Sequence, residues 1–323
     1  LVPEQMTQAA DRELAARFGA TIRAQTLSFR RLAFRVMQET GGAARVHIDD
    51  AGKKMILYKI AQRRADSFRV FRRLKEAGGW IDAALEWLDE CKRYNVDAGR
   101  LREASDAGGI PPALRDKLHD LALLGEGLEE ELAGKFIDSE DYLALLAEHA
   151  PSSGLLRGAR VWVDGFHGFT PAELAALTAV CRHAEEVTIC LTLDRPYRAD
   201  EEPDELDLFY STAATLTKLL RLAEAEGLPV AQPIVLSGGA DGRHHGFLAD
   251  LEAAFADWAN GRPYKPASGA GDALSLVTAA NPRAEAEAAA RDILRFVSGG
   301  KGRWRDAAVF VRDWERYGDI LAE

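Results

Sequence analysis

The stretch Arg160–Thr170, RVWVDGFHGFT, decides the fold of this chain. Its apolar run Val161–Val163 predicts a short buried strand that ends on an acidic residue, Asp164. Gly165 breaks the strand, and Pro171 then begins a helical stretch directly after a threonine. Threonine is a good N-cap and proline is tolerated in the first helical turn, so the sequence predicts a strand–loop–helix unit.

Asp164 has two interpretations within this unit. Nucleotide-binding α/β domains present a Walker B carboxylate at the end of a buried strand, where open α/β sheets bind their ligands. The alternative is an ordinary strand–loop–helix unit in which Asp164 only precedes a helix. The tripeptide VDG is too short a motif to choose between them.

Composition indicates a globular protein of about two domains. The 323 residues are 47% hydrophobic and 28% charged, and the net charge of −10 means that any nucleic-acid site must be a local basic surface. No apolar run approaches the roughly 18 residues of a membrane span, and no signal peptide is visible. Three distant cysteines, Cys91, Cys181 and Cys190, are typical of a reducing compartment and argue against a zinc or iron–sulfur site. We therefore predict a cytoplasmic protein that contacts no membrane.

Apolar runs and helical periodicity alternate along the chain, which predicts an α/β fold. The predicted strands are Thr21–Leu27, Arg160–Val163, Glu186–Leu193, Pro229–Leu236, Leu274–Ala279 and Ala307–Val311. The predicted helices are Gln8–Phe18, Phe29–Thr40, Trp80–Tyr94, Ala113–Ala133, Asp138–His149, Asp204–Glu226 and Arg283–Val297. From Asp49 to Ala150 the pattern is helical without a convincing strand. Leu1 and Val2 have the character of a strand end and Glu323 that of a new helix, so we expect the chain to be part of a longer protein.

A basic stretch between Asp49 and Lys75 is a candidate phosphate-contacting surface. Asp66 is the one acidic neighbour that faces its cations. These cations are Lys53, Lys54, Lys59, Arg63, Arg64, Arg69, Arg72, Arg73 and Lys75. The alternative is a solvated face that binds nothing.

Several catalytic motifs are missing from the sequence. No G-x-x-x-x-G-K-[ST] occurs, so no P-loop is present to hold the β- and γ-phosphates of a nucleotide. Gly165 stands beside Asp164 where an active helicase of this general plan has a glutamate that orients the attacking water. The seven histidines have no metal-ligand spacing, and Asp138–Asp141 lacks the lysine of a two-metal nuclease and fits helix capping better. The sequence therefore argues against ATP hydrolysis by this chain.

Further stretches, in order from Leu1 almost to Glu323, resemble those of a known family. They are VPEQMT, IRAQTLSFRRLAFRVMQETGG, KRY at Lys92–Tyr94, KLHDL at Lys117–Leu121, IDSEDYLALLAEH, VDGFHGFTPAEL and AANPRAEAEAAARDIL. Together they make the chain similar to the N-terminal part of AddB, the B subunit of the bacterial AddAB helicase–nuclease, which processes double-strand breaks for recombination.

The resemblance implies a superfamily 1 helicase plan whose motor has decayed, with a RecA-like parallel sheet and an all-helical insertion. Residues 1–47 and 151–270 would be two parts of the first RecA-like domain, 1A. Residues 48–150 would be the helical insertion, 1B, and 271–323 the start of the second RecA-like domain, 2A. A P-loop for ATP would lie upstream of Leu1. The family's nuclease domain, with Mg²⁺ and a 4Fe–4S cluster, would lie beyond Glu323, so we expect no cofactor here.

The resemblance also implies which residues recognise Chi in single-stranded DNA. Gln5 and Thr7 match a polar pair whose amide and hydroxyl would bond base edges. Phe29 and Arg31 match an S-F-x-R turn, for stacking on a base and for contacting a base or phosphate. The alternatives are core packing for Phe29 and a solvated face for Arg31. Matches elsewhere are Arg93 of K-R-Y, Phe166 of V-D-G-F, Asp164 as a degenerate Walker B residue, and Phe34, which departs from the tryptophan of many relatives.

Three functions stay open. The first is a DNA-binding module without catalysis, which scans a single strand containing Chi beside the partner subunit AddA. The second is an ATPase or helicase whose P-loop lies upstream, and the third is a scaffold that docks AddA. The parent complex would be an ATP-dependent exodeoxyribonuclease and helicase of DNA repair by homologous recombination. The missing glutamate beside Asp164 favours the first function.

Overall fold

The computed structural model describes residues 1–19, 24–41, 46–74, 79–236, 247–248, 250–251, 254 and 274–322. They belong to two compact units, Leu1–Leu236 and Ser237–Glu323. The helices of the first unit are α1 (Thr7–Phe18), α2 (Phe29–Thr40), α3 (Asp50–Arg63), α4 (Trp80–Arg93), α5 (Ala98–Asp106), α6 (Pro112–Leu132), α7 (Asp141–His149), α8 (Pro171–His183) and α9 (Tyr210–Ala225). Its strands are β1 (Val46–His47), β2 (Phe136–Ile137), β3 (Arg160–Val163) and β4 (Glu186–Ile189). The second unit contains α10 (Pro282–Ser298) and α11 (Trp314–Ala322).

A small parallel sheet supports the candidate site. β3 and β4 pair in parallel along their whole length. The first residues of the chain extend this ladder on the other side of β3, because the Asp164 N–H donates to the Leu1 carbonyl at 2.9 Å. The Val2 N–H in turn donates to the Leu27 carbonyl at 3.0 Å. The sheet itself consists of β3 and β4, and Leu1–Val2 and then the Leu27 segment lie hydrogen-bonded beside β3.

α2 packs against this sheet through an amphipathic face, as its sequence predicts. Phe29, Leu32, Ala33 and Val36 are each at most 5% exposed and share one core with residues of α7, α8 and β3. Full burial of a large apolar side chain contributes about 1.5–3 kcal/mol. The helix begins after Ser28, whose hydroxyl oxygen accepts the N–H of the residue three positions on, as an N-cap should.

β3 differs from the predicted buried strand at one residue. Val163 is 1% exposed, but Trp162 is 57% exposed. Successive side chains of a strand point to opposite faces, so the pleat turns Trp162 away from the core that contains Val161 and Val163. The prediction of continuous burial is therefore wrong at Trp162.

α3, α4, α5 and α6 form the second core of this unit, to which Leu57, Ile60, Leu88 and Leu124 belong. The helices predicted for this region are present. The region is not free of strands, however, because β2 pairs in parallel with β1. A ladder of two residues has no periodicity for sequence to reveal.

Three predicted strands are absent from the described structure: Pro229–Leu236, Leu274–Ala279 and Ala307–Val311. Their apolar side chains are largely exposed, with Ile234 at 84% and Leu276 at 95%. An apolar run becomes a strand only when a neighbouring strand satisfies its N–H and C=O groups. These predictions were therefore wrong, since apolar content alone does not supply that neighbour.

Other predicted bounds shift in the structure. The strand predicted to reach Leu193 ends at Ile189, and the helix predicted from Asp204 begins at Tyr210. Part of Thr21–Leu27 lies outside the described residues, and residues 24–28 form no strand. The predicted domain boundary between residues 270 and 271 also lies outside the described residues and stays a prediction.

The regular elements described in the second unit are helices. The Asn281 side chain caps α10 by accepting the Ala284 N–H at 2.9 Å. The Tyr317 hydroxyl of α11 donates to Glu285 of α10 at 2.6 Å. The helix predicted at Arg283–Val297 is confirmed. With its parallel ladders the described chain is an α/β structure dominated by helices, and none of its described helices combines the length and apolarity needed to cross a bilayer.

Candidate nucleic-acid interface

Three segments meet at the edge of the sheet where β3 ends. A 3₁₀ turn, Glu4–Met6, follows the first residues of the chain and lies against the loop after β3. A Cβ atom on Gly165 would lie 2.8 Å from the Met6 sulfur, and Arg31 at the start of α2 is ion-paired with Glu4. We call these three segments, Glu4–Thr7, Ser28–Arg31 and Asp164–Phe166, the edge cluster.

The predicted polar pair of the edge cluster separates into an exposed and a buried residue. Gln5 is exposed. Thr7 is 3% exposed, and its hydroxyl donates to the Glu4 carbonyl at 2.9 Å. The predicted contact of Thr7 with a base edge is not available in this conformation, because the hydroxyl proton already closes the turn.

Arg31 is held by a carboxylate that the sequence analysis did not single out. Its Nε atom donates to Glu4 Oε1 at 3.0 Å, while the Ser28 hydroxyl donates to the other Glu4 oxygen. The hydrogen bond from Ser28 and the charge of Arg31 hold the pKa of the Glu4 carboxyl below its usual value. The Arg31 side chain stays 52% exposed, so the pair fixes its direction and leaves much of it open to solvent.

Phe29 and Phe166 are in contact, but they differ in accessibility. Phe29 is 5% exposed and meets the Phe166 ring edge-on, with 5.5 Å between ring centroids. Phe166 is half-buried and stacks on Phe169 at 5.1 Å. The structure therefore favours the core-packing alternative for Phe29, since no base can reach a ring this deeply buried. Phe166 remains accessible for stacking.

Asp164 and Gly165 form the bend after β3. Asp164 is exposed, and its Oδ1 accepts the Gly165 N–H at 2.8 Å. Gly165 has φ +80°, a conformation that L side chains rarely adopt. Met6 and Pro3 also occupy the space that a side chain would need, with Pro3 Cδ at 3.3 Å from a built Cβ. A glutamate here would adopt a strained backbone conformation, and the Met6 side chain would have to move.

Phe34 and Arg93 lie away from the edge cluster. Phe34 is 44% exposed on the outer face of α2, one turn beyond Arg30. Arg93 is the last residue of α4, and its Nε lies 3.5 Å from a carboxylate oxygen of Glu140. The structure thus brings together Gln5, Arg31 and Phe166, and it places Arg93 with the turn before α7.

A sequence profile of the family described as ADDB, N-terminal, matches residues 1–252. The chain belongs to this family. Proteins named as the B subunit of an ATP-dependent helicase/deoxyribonuclease are similar to it: that of Geobacillus kaustophilus (strain HTA426) is 45% identical, that of Geobacillus thermodenitrificans (strain NG80-2) 43%, and that of Heliobacterium modesticaldum 44%. Each match covers 99% of this chain but 28%, 28% and 27% of the respective relative. The chain therefore spans little more than a quarter of these AddB relatives.

The basic stretch of this AddB family member is largely ion-paired within its own fold. Asp89 binds Lys53, which is only 1% exposed, and Glu131 binds both Lys59 and Arg63. The further pairs are Lys54–Asp82, Arg64–Glu126, Arg64–Glu130, Arg69–Asp116 and Arg72–Asp66. The carboxylates come mostly from helices distant in sequence, and this pairing favours the solvated-face alternative over a phosphate-contacting surface. Among the described residues Arg73 has no carboxylate partner. Lys75 lies outside the described residues.

Lys92 of the K-R-Y tripeptide has a structural role in this AddB chain. Its ammonium binds Asp138 at 2.8 Å and Asp141 at 2.9 Å. Burial lowers the pKa of Lys92, but the two carboxylates outweigh it and raise the pKa to about 12. Asp138 also accepts the N–H groups of Glu140 and Asp141 and so holds the turn that leads into α7, whose N-cap residue is Glu140 rather than Asp138.

Metal-ligand geometry is absent from the described part of the chain, where no three His, Cys, Asp or Glu side chains are grouped to hold an ion. His244 and His245 lie outside the described residues. Cys91 is buried, and burial raises the pKa of its thiol to about 11.

Sequence reasoning missed two residues of the site, Glu4 and Phe169. Phe169 follows Phe166 by three positions, a spacing that could have suggested an aromatic pair. Glu4 left no signal, because its partners Ser28 and Arg31 follow it by 24 and 27 positions.

Proposed function

We propose that this chain is the strand-scanning region of an AddB subunit, which binds single-stranded DNA and recognises Chi without catalysis of its own. In this proposal it works in the cytoplasm, in a complex with an AddA subunit, during double-strand break repair by homologous recombination. ATP hydrolysis, helicase movement and nuclease action, with any metal or cluster, belong to other parts of that complex.

The edge cluster is the observation that carries this proposal. Gln5, Arg31 and Phe166 lie together where a parallel strand ends, which is the edge at which open α/β sheets bind ligands. An amide that can bond bases, an oriented guanidinium and an accessible ring are the groups that hold single strands in proteins. A base stacked on Phe166 would contribute about 1–3 kcal/mol to binding.

The geometry at Gly165 supports a non-catalytic role. Phosphoryl transfer to water needs a group that orients the water, and the glycine in the left-handed conformation beside Asp164 supplies none. We therefore expect no ATP hydrolysis by this chain. Hydrolysis that the substitution Asp164→Ala abolishes would favour the ATPase alternative.

Fluorescence anisotropy of this chain with labelled single-stranded oligonucleotides tests the proposal. Phe166→Ala and Arg31→Ala are each expected to weaken binding at least about five-fold, since each removes a direct contact with the strand. Phe18→Ala and Arg72→Ala are matched controls, because both side chains are exposed outside the edge cluster. Equal effects of site and control substitutions would contradict a strand site at this edge.

Sequence discrimination is the second measurement. A panel of oligonucleotides of different sequence, tested on this chain and on its complex with the partner subunit, should contain one sequence that Gln5→Ala no longer distinguishes. If the substitutions at Gln5, Arg31 and Phe166 all leave binding by the complex unchanged, the scaffold alternative is favoured.

A further inference from the structure

Two threonines of α9 hold the two chain segments that leave the small sheet. The Thr215 hydroxyl donates to the His167 carbonyl, in the loop after β3, at 2.8 Å. One helical turn earlier, the Thr212 hydroxyl donates to the Thr192 carbonyl, after β4, at 2.7 Å. Both threonines are buried, with Thr215 8% exposed. α9 is therefore bonded to the chain beyond the ends of both strands, where the edge cluster lies.

These bonds are additional to those that α9 needs for itself. A threonine inside a helix commonly donates its one hydroxyl proton to a carbonyl of the preceding turn. Such carbonyls are present here, with Ser211 O at 2.8 Å from the Thr215 hydroxyl and Phe209 O at 3.1 Å from that of Thr212. The second acceptor of each hydroxyl is therefore what links α9 to the sheet edge.

The loop Phe166–Phe169 has little else of a directional kind to hold it. Among the residues that the structure describes, the bond from Thr215 is the one hydrogen bond between a backbone group of this loop and another element. Its other contacts are between rings, since Phe166 and Phe169 stack and both meet Phe29 edge-on. Apolar contacts of this kind stabilise the loop but set its direction weakly.

We propose that Thr215 is a positioning residue for DNA binding, which holds the His167 carbonyl so that the adjacent Phe166 ring is presented to a base. The inference rests on the proposed function, in which Phe166 stacks on the strand. Thr215 itself is buried and does not touch the strand. Its support is firm, because Leu219 of α9 packs against the core that contains Phe29. Groups that contact a ligand are held in place by hydrogen bonds of this kind from rigid elements.

Oligonucleotide affinities of variants at Thr215 test the proposal. Thr215→Val keeps the shape and removes the hydroxyl, so binding should weaken about three-fold or more, the order of one neutral hydrogen bond. Thr215→Ser keeps the hydroxyl and should bind within about two-fold of the natural chain. Thr215→Ala also lacks the hydroxyl and repeats the test if the valine variant does not fold.

Thr217→Val is the matched control for these variants. Thr217 is 2% exposed on the same helix, and its hydroxyl donates to the Ala214 carbonyl within α9. This substitution removes a buried hydroxyl of the same kind without touching the loop. It should therefore leave the affinity for single strands unchanged.

A double-mutant cycle with Phe166→Ala shows whether Thr215 acts through that ring. In the Phe166→Ala background, Thr215→Val should change the affinity by less than about 1.5-fold, because the ring that it positions is absent. The slope of log K against log salt should be the same for Thr215→Val and the natural chain, since no cation is removed. A reduced slope would indicate lost phosphate contacts and would overturn the inference.

The outcomes separate this inference from the proposed function. Binding that depends on Phe166 but not on Thr215 overturns the positioning role alone. A loss that serine shares with valine overturns it as well, and so does a loss of equal size with and without the Phe166 ring. A loss in Thr215→Val that serine restores and that disappears without Phe166 supports it. No binding of single strands at any salt overturns both proposals.

Discussion

Two regions of the molecule carry clustered cations, and they differ in how many of these cations have a carboxylate partner. The region of α3 and α4 has the larger number of lysines and arginines, but carboxylates of α4, α6 and the turn before α7 bind nearly all of those described. α2 has only three arginines, and two of these face solvent without a partner among the described residues. The availability of a cation for an anionic ligand therefore depends on pairing in the folded chain rather than on the number of cations in the sequence.

The largest expected effect concerns the buried pairing of Lys92. Asp138 is 0% exposed and holds both this lysine and the first turn of α7. Asp138→Asn leaves the ammonium without its best partner, and breaking a buried pair destabilises a protein by about 3 kcal/mol or more. Urea unfolding followed by circular dichroism measures this loss.

The matched control for Asp138→Asn is Asp66→Asn. Asp66 lies 3.7 Å from Arg72 in an exposed pair, so we expect a change below about 0.5 kcal/mol. Similar losses in the two variants would mean that pairing of buried cations in this region contributes no more than pairing at the surface.

The Lys92–Asp138 pair predicts how the free energy of unfolding depends on pH. Burial raises the pKa of Asp138, but Lys92 and then Lys53 outweigh it, so the folded pKa lies below the ordinary value. Its stabilising contribution is therefore present above about pH 4 and is lost as the pH falls through the folded pKa. The contribution of Lys92 is present below about pH 10.4 and is lost as the pH rises toward its folded pKa of about 12.

Unfolding midpoints from strongly acidic to neutral pH test the acid limb. Burial raises the pKa of Asp89 and of Glu140 nearby, so their protonation offsets part of the loss. The difference between the natural chain and Asp138→Asn isolates the Asp138 contribution. This difference should shrink below about pH 4, and a difference that is constant with pH would contradict the prediction.

A variant that frees cations of the α3 and α4 region should bind DNA more strongly, which tests the comparison between this region and α2. Glu131→Gln releases two cations of the neutralised region, Lys59 and Arg63. If pairing is what keeps this region from binding DNA, the slope of log K against log salt should become steeper by up to about 1.4. Glu13→Gln on α1 changes net charge equally without releasing a recorded pair. Equal slopes in the two variants would show that pairing is not the deciding factor.

The smallest expected effect comes from imposing a pair on α2. Gln38→Glu places a carboxylate three positions after Arg35, where side chains of a helix meet. Partial neutralisation of Arg35 should reduce the salt slope by less than the roughly 0.7 that removal of an arginine produces. Gln8→Glu on α1 is the control for net charge, and a larger loss there would mean that pairing of Arg35 is not the cause of the change.

Much of the fold could be predicted where its causes are local. Ser28 caps α2 and the apolar stripe from Phe29 to Val36 is buried, as predicted, because capping and helical periodicity act within a few residues. Strands were predicted less well. Leu274–Ala279 has the composition of a strand but no described neighbour, whereas the two-residue ladder of β1 and β2 has neighbours but almost no pattern.

The candidate site was predicted in part for a related reason. The resemblance identified Gln5, Arg31 and Phe166, and the structure brings them together. The resemblance could not show that the Thr7 hydroxyl bonds within its own turn or that Phe29 is packed against Phe166, because burial depends on which other segments of the folded chain lie nearby.

The sequence by itself determined most of the helices, the strand that precedes Asp164 and membership of the AddB N-terminal family, since these depend on local periodicity and on residues in order along the chain. Only the tertiary structure decided which charges are free. The carboxylate that binds Lys59 and Arg63 lies about seventy residues away along the chain, while Arg30 and Arg35 meet none among the described residues. A charge interacts according to distance in space, and the fold alone sets that distance.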